Sequence, residues 1–403
     1  MDTLITNMLW LLLAATAVAI VARRLRLPYT VGLVLAGVGL ALARVNSGIA
    51  LTHDIIFNVI LPPLLFEAAV NIHWQELRRD GAPVAVLALA GTVLAAAVVG
   101  AGMVAGLGWP VGAAALFGAL IAATDPVAVI AMFKDNQVSG RLRLLVEAES
   151  LFNDGAAAVL FSLVLAWVQP GAGPALGPAA MALNLGWTVA GGVGIGLGVA
   201  ALMLALAGRF TDHLATAALT TVAAYGSFLA AQHAGCSGVL ATVTAGLVIG
   251  NLGLLSSGAH SHLSAQEREF MLALWEFIAY LANSLVFLLI GLAVGAMRIP
   301  LPAVMALLGI IALVLASRAL TVYPLCRIFT GTRWAVPLRT QHILWWGGLR
   351  GALGLALALS LPPTLPFRDD ILTATFAVVT FSVVGQGLTM PPLLRALRFI
   401  PRR

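Results

Sequence analysis

Long apolar stretches alternate with short polar breaks along the whole chain. In a helix rising 1.5 Å per residue, about 20 apolar residues cross the roughly 30 Å hydrocarbon core of a bilayer. Such stretches fall at 3–22, 28–43, 53–72, 83–107, 111–133, 144–168, 180–208, 214–233, 236–254, 270–296, 301–326, 338–361 and 370–394. The pattern predicts an all-α polytopic membrane protein with about thirteen transmembrane helices. The longest polar connection, 255–269, and the Pro/Gly-rich stretch 169–179 are too short to form domains. The chain 1–403 therefore reads as a single transmembrane unit with no soluble domain.

Composition agrees with this reading: 61% of residues are hydrophobic, only 9% are charged, and the mean hydropathy is +1.02. That balance excludes a water-soluble enzyme. The net charge of +6 is a topology signal. Arg23, Arg24 and Arg26 follow the first span, and most other Lys and Arg residues lie in odd-numbered connections or the C-terminal tail. Arg44, Arg298 and Arg368 lie in even-numbered connections. Basic residues gather on the cytoplasmic face, beside anionic lipid. The expected orientation is thus N-terminus outside and C-terminus cytoplasmic in a bacterial-type inner (plasma) membrane, with no nucleic-acid partner. The opening MDTLITNMLW lacks the basic segment of a secretory signal, so the first span is expected to stay in the mature protein. Cys236 and Cys326 have no metal-ligand spacing and read as small core residues.

Lipid offers no hydrogen-bond partners, so ionisable groups, prolines and glycine clusters at mid-span depth mark a protein-lined path. In span five, GALIAATDPVAVIAMF, Pro126 interrupts the helix, and Thr124 and Asp125 are good capping residues for a second half-helix. Asp125 is the expected N-cap, and carbonyls near Thr124 are expected to be free to coordinate a cation. The alternative is a plain proline kink with Asp125 as a cap only. In span six, EAESLFNDGAAAVLF, Ser150 and Asp154 share one helix face, as do Glu149 and Asn153. Asp154 has no cationic neighbour in sequence, and burial puts it in the regime where a proton and a cation compete for one carboxyl group. Otherwise it hydrogen-bonds a neighbouring helix. Glu147 lies near Arg141 and Arg143 and reads as a solvated charge. Glu67 in span three follows Pro62 and Pro63 and either joins the cation path or snorkels to the interface.

Two arginines lie at depth, Arg318 in span eleven and Arg350 in the glycine-rich run WGGLRGALG of span twelve. Each needs an anion, and Glu149 is the natural partner for one of them. Gly347, Gly348, Gly351 and Gly354 make span twelve easy to interrupt. Spans five and twelve run in opposite directions, as inverted-topology repeats with two broken crossing helices require.

Taken in order, LPPLLFEAA, ATDPVAV, ESLFNDGAAAVLF, SGVLATVTAGLVIGN, LANSLVFLLIG and GGLRGALGLALALSLP resemble the first cation/proton antiporter family, the NhaP and NHE type of Na⁺/H⁺ exchangers. The resemblance covers essentially the whole chain. It implies a homodimer whose protomers have core spans at approximately 83–168 and 301–394 and dimerisation or scaffold spans at approximately 1–72 and 180–296. It also implies that Asp154 binds the ion or a proton, that Asn153 steadies the site, and that Ser150, the Thr124 carbonyl and Glu67 contribute oxygen ligands for Na⁺. Asp125 belongs to the unwound segment of span five, Glu149 and Arg318 to a structural ion pair, and Arg350 to the second broken helix. Asn153 ahead of Asp154, where relatives carry two aspartates, implies electroneutral exchange of Na⁺ or Li⁺ for H⁺. K⁺/H⁺ exchange at the same site is the alternative. The end at Arg403, shortly after the last span, leads us to expect no regulatory tail.

A cation channel also needs buried carboxylates and broken helices, but it does not couple its ion to protons. Gly235-Cys236-Ser237-Gly238 is similar to the nucleophile motif of rhomboid proteases. However, His233 lies only four residues from Ser237, and His342 is the sole distant candidate base. No HExxH, GxGD or phosphate-binding glycine loop is present, so no metalloprotease, aspartyl protease or ATP-driven pump has a site, and no cofactor is expected. His53, His73, His213, His260 and His262 fall in or beside connections and read as solvated, with His260 and His262 candidate pH sensors. Trp74, Trp109 and Trp334 read as interfacial anchors.

Overall fold

The computed structural model describes residues 2–25, 27–44, 51–169, 178–207, 213–255, 265–297 and 301–400. His260, His262 and the orientation-setting Arg26, Arg209, Arg298, Arg402 and Arg403 lie outside the described residues. In chain order the helices are α1 (Asp2–Leu25), α2 (Tyr29–Leu42), α3 (Leu61–Val70), α4 (Trp74–Ala85), α5 (Gly91–Leu107), α6 (Val111–Ile121), α7 (Val127–Asp135), α8 (Arg141–Val168) and α9 (Pro178–Ala207). They continue as α10 (His213–His233), α11 (Gly238–Ile249), α12 (Ala265–Ala296), α13 (Leu301–Arg327), α14 (Leu338–Gly347), α15 (Ala352–Leu359), α16 (Arg368–Phe381) and α17 (Gly387–Ala396). No strand occurs among the described residues.

Eight helices among the described residues are long and apolar enough to cross a membrane. Shorter apolar helices lie at Leu9–Ala22, Tyr29–Leu42, Ile55–Val70, Val111–Ile121 and Gly238–Leu254. Pro28, Pro110 and Pro337 stand immediately before α2, α6 and α14. There the missing N–H costs nothing, and the fixed φ favours entry into a helix. Wider turns at Val86–Ala90 and Ser382–Gln386 join α4 to α5 and α16 to α17, one at Ile55–Ile60 leads into α3, and one at Gly250–Leu254 continues α11.

The helices pack around shared cores. α2 lies along α12, and α3 packs on α11 together with α9 and α10, around Phe66, Val70, Ile249 and Trp275. A larger core joins α5, α6, α8, α13 and α15 through Phe117, Leu120, Leu145, Val314 and Leu353, and reaches α3 and α11 through Leu65 and Val243. Between α2 and α12 the backbones nearly touch. A Cβ on Gly37 would strike the Leu288 carbonyl, and one on Gly291 would strike the Val34 carbonyl. With no water-driven hydrophobic force inside lipid, such close approach supplies the dispersion contacts that hold two helices together.

Residues 73–82, expected to be a polar connection, are largely helical. α4 starts at Trp74 and continues through a kink at Asp80, where φ is −110° and ψ 17°. The kink is tied to residues distant in sequence. Arg141 Nε donates to Asp80 Oδ1 at 2.8 Å, and its other nitrogens donate to the carbonyls of Ala335 at 2.8 Å and Trp334 at 3.0 Å. One guanidinium thus ties the start of α8 to α4 and to the connection before α14.

Gly291→Val forces a side chain into backbone that has no room to yield. We expect overpacking to cost about 1–3 kcal/mol. A thermal melt of the purified protein in detergent should fall by several degrees, and an unchanged melting temperature would contradict this packing.

Candidate functional site

α6 ends at Ile121 and the helix resumes at Val127. Between them, Thr124 is held on three sides. Its N–H donates to Asn153 Oδ1 at 2.9 Å, its carbonyl accepts from Ser150 Oγ at 2.6 Å, and its hydroxyl pairs with Ser150 Oγ at 2.8 Å. Asn153 also donates from Nδ2 to Thr92 Oγ1 at 2.7 Å. Ser150 and Asn153, three residues apart on α8, thus clamp the unwound segment together. Pro126 has helical φ −86° and ψ −4°, the geometry of a first helical position, although α7 is counted from Val127. Asp125 satisfies the helix start, since Val127 N–H donates to its Oδ1 at 2.9 Å.

The second interruption separates α14, ending at Gly347, from α15, starting at Ala352. The two breaks answer one another. Arg350 Nη1 donates to the carbonyls of Ala122 at 2.7 Å and Ala123 at 3.0 Å, which neutralises the carbonyl end of α6. Asp125 N–H donates to the Leu349 carbonyl at 2.7 Å. A Cβ on Gly351 would overlap the Asp125 carboxylate, so only glycine fits there. The expectation of free carbonyls near Thr124 is corrected here: Arg350 engages those of Ala122 and Ala123, and Ser150 engages that of Thr124. A second lone pair on each remains for a ligand. Sequence reasoning missed Ser382 and Gln386. Ser382 Oγ accepts from Arg350 N–H at 3.0 Å and pairs with Gln386 Oε1, while Gln386 Nε2 donates to the Trp346 carbonyl at 2.8 Å. Both lie in the wide turn after α16, where the extra residue per turn redirects polar side chains inward.

Glu149 and Arg318 form a bidentate pair, Nη1 to Oε1 and Nη2 to Oε2, each at 2.8 Å. Only 2% of Glu149 and 4% of Arg318 is exposed. Arg318 also donates to the Leu344 carbonyl, from Nη2 at 3.1 Å and Nε at 3.3 Å. Glu149 points away from the side of α8 that carries Asp154. Asp154 has no such partner, for its buried Oδ1 makes no hydrogen bond.

Asp154 lines a cavity of about 800 Å³, together with Glu67, Thr124, Asp125, Tyr29, Tyr280 and Asn283. Glu67 is steadied by Asn71, whose Nδ2 donates to its Oε1 at 3.0 Å. Towards the mouth the lining becomes charged. Arg143 pairs with Glu147 at 3.0 Å within α8, and Lys134 of α7 pairs with Glu276 of α12 at 2.8 Å. Glu147 is thus a paired cavity residue and Arg141 a structural one. Glu67, Thr124, Asp125 and Asp154 converge on the cavity, Ser150 and Asn153 stand directly behind Thr124, and Arg350, Glu149 and Arg318 brace the two interruptions. What this arrangement can do is hold a small cation among hard oxygen donors, next to a carboxylate free to take a proton instead. The protease alternative has no geometry. Ser237 Oγ accepts from Leu240 N–H as a helix cap, and His233 Nδ1 bonds the Leu229 carbonyl.

The profile of the family described as "Sodium/hydrogen exchanger, transmembrane" matches residues 11–396. The Na(+)/H(+) antiporter ApNhaP of Aphanothece halophytica is 39% identical over 386 residues, 94% of this chain and 71% of that protein. The Na(+)/H(+) antiporter NhaP of Pseudomonas aeruginosa is 36% identical over 360 residues, 85% of this chain and 81% of that protein. In fold, the chain is similar to the sodium proton antiporter MjNhaP1 from Methanocaldococcus jannaschii. The TM-score is 0.74 at 19% identity, covering 98% of this chain and 97% of that one.

Two substitutions probe the braces. Arg318→Ala strands a buried carboxylate and should cost about 3–5 kcal/mol. We expect loss of stable protein, read as yield and melting temperature, with substantial recovery in Glu149→Leu/Arg318→Leu. Gly351→Ala should leave folded protein but cut exchange at least tenfold, because the methyl displaces Asp125. Wild-type flux in that variant would contradict the close approach.

Proposed function

This chain belongs to the sodium/hydrogen exchanger family, and from that premise we propose that Na⁺ and H⁺ exchange by competing for Asp154. The protein is an integral membrane antiporter coupling sodium to protons. The observation that carries the site reading is the unpartnered carboxylate oxygen of Asp154 facing a cavity lined by further oxygen donors. Protonated, Asp154 is neutral. Ionised, it holds Na⁺ or Li⁺ with Glu67, water and the second lone pair of the Thr124 carbonyl, whose position Ser150 and Asn153 fix. No resident cofactor is needed for this chemistry, and no enzymatic activity is proposed.

Only neutralised forms of the site cross an apolar barrier cheaply, so an empty carboxylate is held in place. This supports alternating access, with α4–α8 and α13–α17 moving as a core against a scaffold of α1–α3 and α9–α12, and two inverted-topology repeats meeting at the interrupted helices. One carboxylate exchanging one proton for one monovalent cation moves no net charge, which favours electroneutral exchange. The cavity mouth carries Lys134 and Arg143, so by the charge rule it faces the cytoplasm of a plasma membrane. The molecule works as a homodimer in this reading.

Asp154→Asn keeps the shape but removes the titrating group. We expect proton uptake driven by a Na⁺ gradient in proteoliposomes to fall at least a hundredfold while the melting temperature stays unchanged. Full exchange by that variant ends the reading. Adding Na⁺, Li⁺ and K⁺ in turn at two membrane voltages separates Na⁺/H⁺ from K⁺/H⁺ exchange and coupled exchange from a channel.

A further inference from the structure

α12 presents a stripe to the cavity at helical spacing: Ala273, Glu276, Phe277, Tyr280 and Asn283. Glu276 at the mouth is paired to Lys134. Asn283, two turns deeper, is different. The residue is 6% exposed, and its Oδ1 is buried without a hydrogen-bond partner. A buried amide oxygen left unpaired costs free energy comparable to a lost hydrogen bond, so such an orphan in a native chain points to a ligand that completes it. The ligand has to come from the cavity, because Asn283 lines it together with Asp125 and Asp154. A neutral amide oxygen is a hard donor suited to a monovalent cation, and it adds coordination without adding a charge that protons would titrate.

Asn283 does not belong to the half that carries Asp154 and Thr124. α12 packs along α2 and α3, while α6 and α8 pack on each other and on α5 and α15. We propose that Asn283 is a scaffold-side oxygen ligand for the transported cation, engaged only while the cavity is open on the face that bears Lys134 and Glu276. Asn283 then sets sodium affinity on that face alone, because in the opposite state the cation has left with Asp154. The proposal rests on the alternating-access reading above.

The test is sodium-dependent exchange in vesicles of both orientations. Asn283→Leu conserves volume and removes the oxygen. The half-saturating Na⁺ concentration should rise roughly three- to tenfold on the Lys134/Glu276 face. On the other face it should stay within about twofold. Asn283→Ser retains an oxygen and should recover part of the difference. If the leucine variant does not accumulate, Asn283→Ala against Asn283→Ser gives the same comparison. A shift of equal size on both faces, or none on either, overturns the proposal. Asp154→Asn measured in the same vesicles keeps the two claims apart. If it is inactive while Asn283→Leu matches wild type on both faces, only the Asn283 assignment falls. If Asp154→Asn exchanges normally, the reading beneath it falls first.

Discussion

Inside hydrocarbon, an opened backbone and a formal charge have the same problem: each needs a partner from the protein itself. This chain solves the two problems together. The unwound segments after α6 and α14 expose amides and carbonyls, and the charges placed beside them are the answer. Arg350 takes the carbonyls of Ala122 and Ala123, Asp125 takes the amide of Val127, and Arg318 takes the carbonyl of Leu344 while bound to Glu149. Nearly every ionisable group at depth is spent in this way. Asp154 stands out because its Oδ1 is not, and a residue left over from structural duty is free for exchange.

Much of this was legible from residues alone. Apolar length marks a span because bilayer thickness is fixed, and Pro126 after Thr124-Asp125 marks a helix end because proline lacks the N–H that a continuing helix needs. The polar face of α8 followed from four-residue spacing. What could not be read is which partner each group chooses. Arg318 and Arg350 look alike in sequence, yet one meets a carboxylate and the other meets carbonyls, a choice decided by which break lies within reach in three dimensions. Carbonyl engagement near Thr124 escaped notice for the same reason. Ser382 and Gln386 were invisible because an isolated serine and glutamine carry no special signal; only a wide turn makes them face inward. Asp80 was hidden likewise, since its partner Arg141 lies two spans further along the chain.

The interlocking of the two interruptions bears on motion. Asp125 N–H on Leu349, Arg350 on Ala122 and Ala123, and Gly351 against the Asp125 carboxylate join α6, α7, α14 and α15 at a point where none is continuous. Behind that junction, Asn153 ties Thr124 to Thr92 of α5. A displacement of any one of these helices carries the others. In the alternating-access reading proposed above, the oxygen donors around Thr124 and Asp154 keep their mutual spacing while their relation to α3 and α12 changes.

The contact between Lys134 and Glu276 sits on that changeable boundary, one partner on α7 and the other on α12. Their side chains are 40% and 62% open to solvent. An ion pair so wetted contributes little net free energy, of order 0–1 kcal/mol, and weakens further as salt screens it. It is therefore a clasp that opens at ambient thermal energy, too weak to hold the mouth shut against a loaded site. In brine the screening is stronger, so the link across this boundary loosens as the salt outside rises.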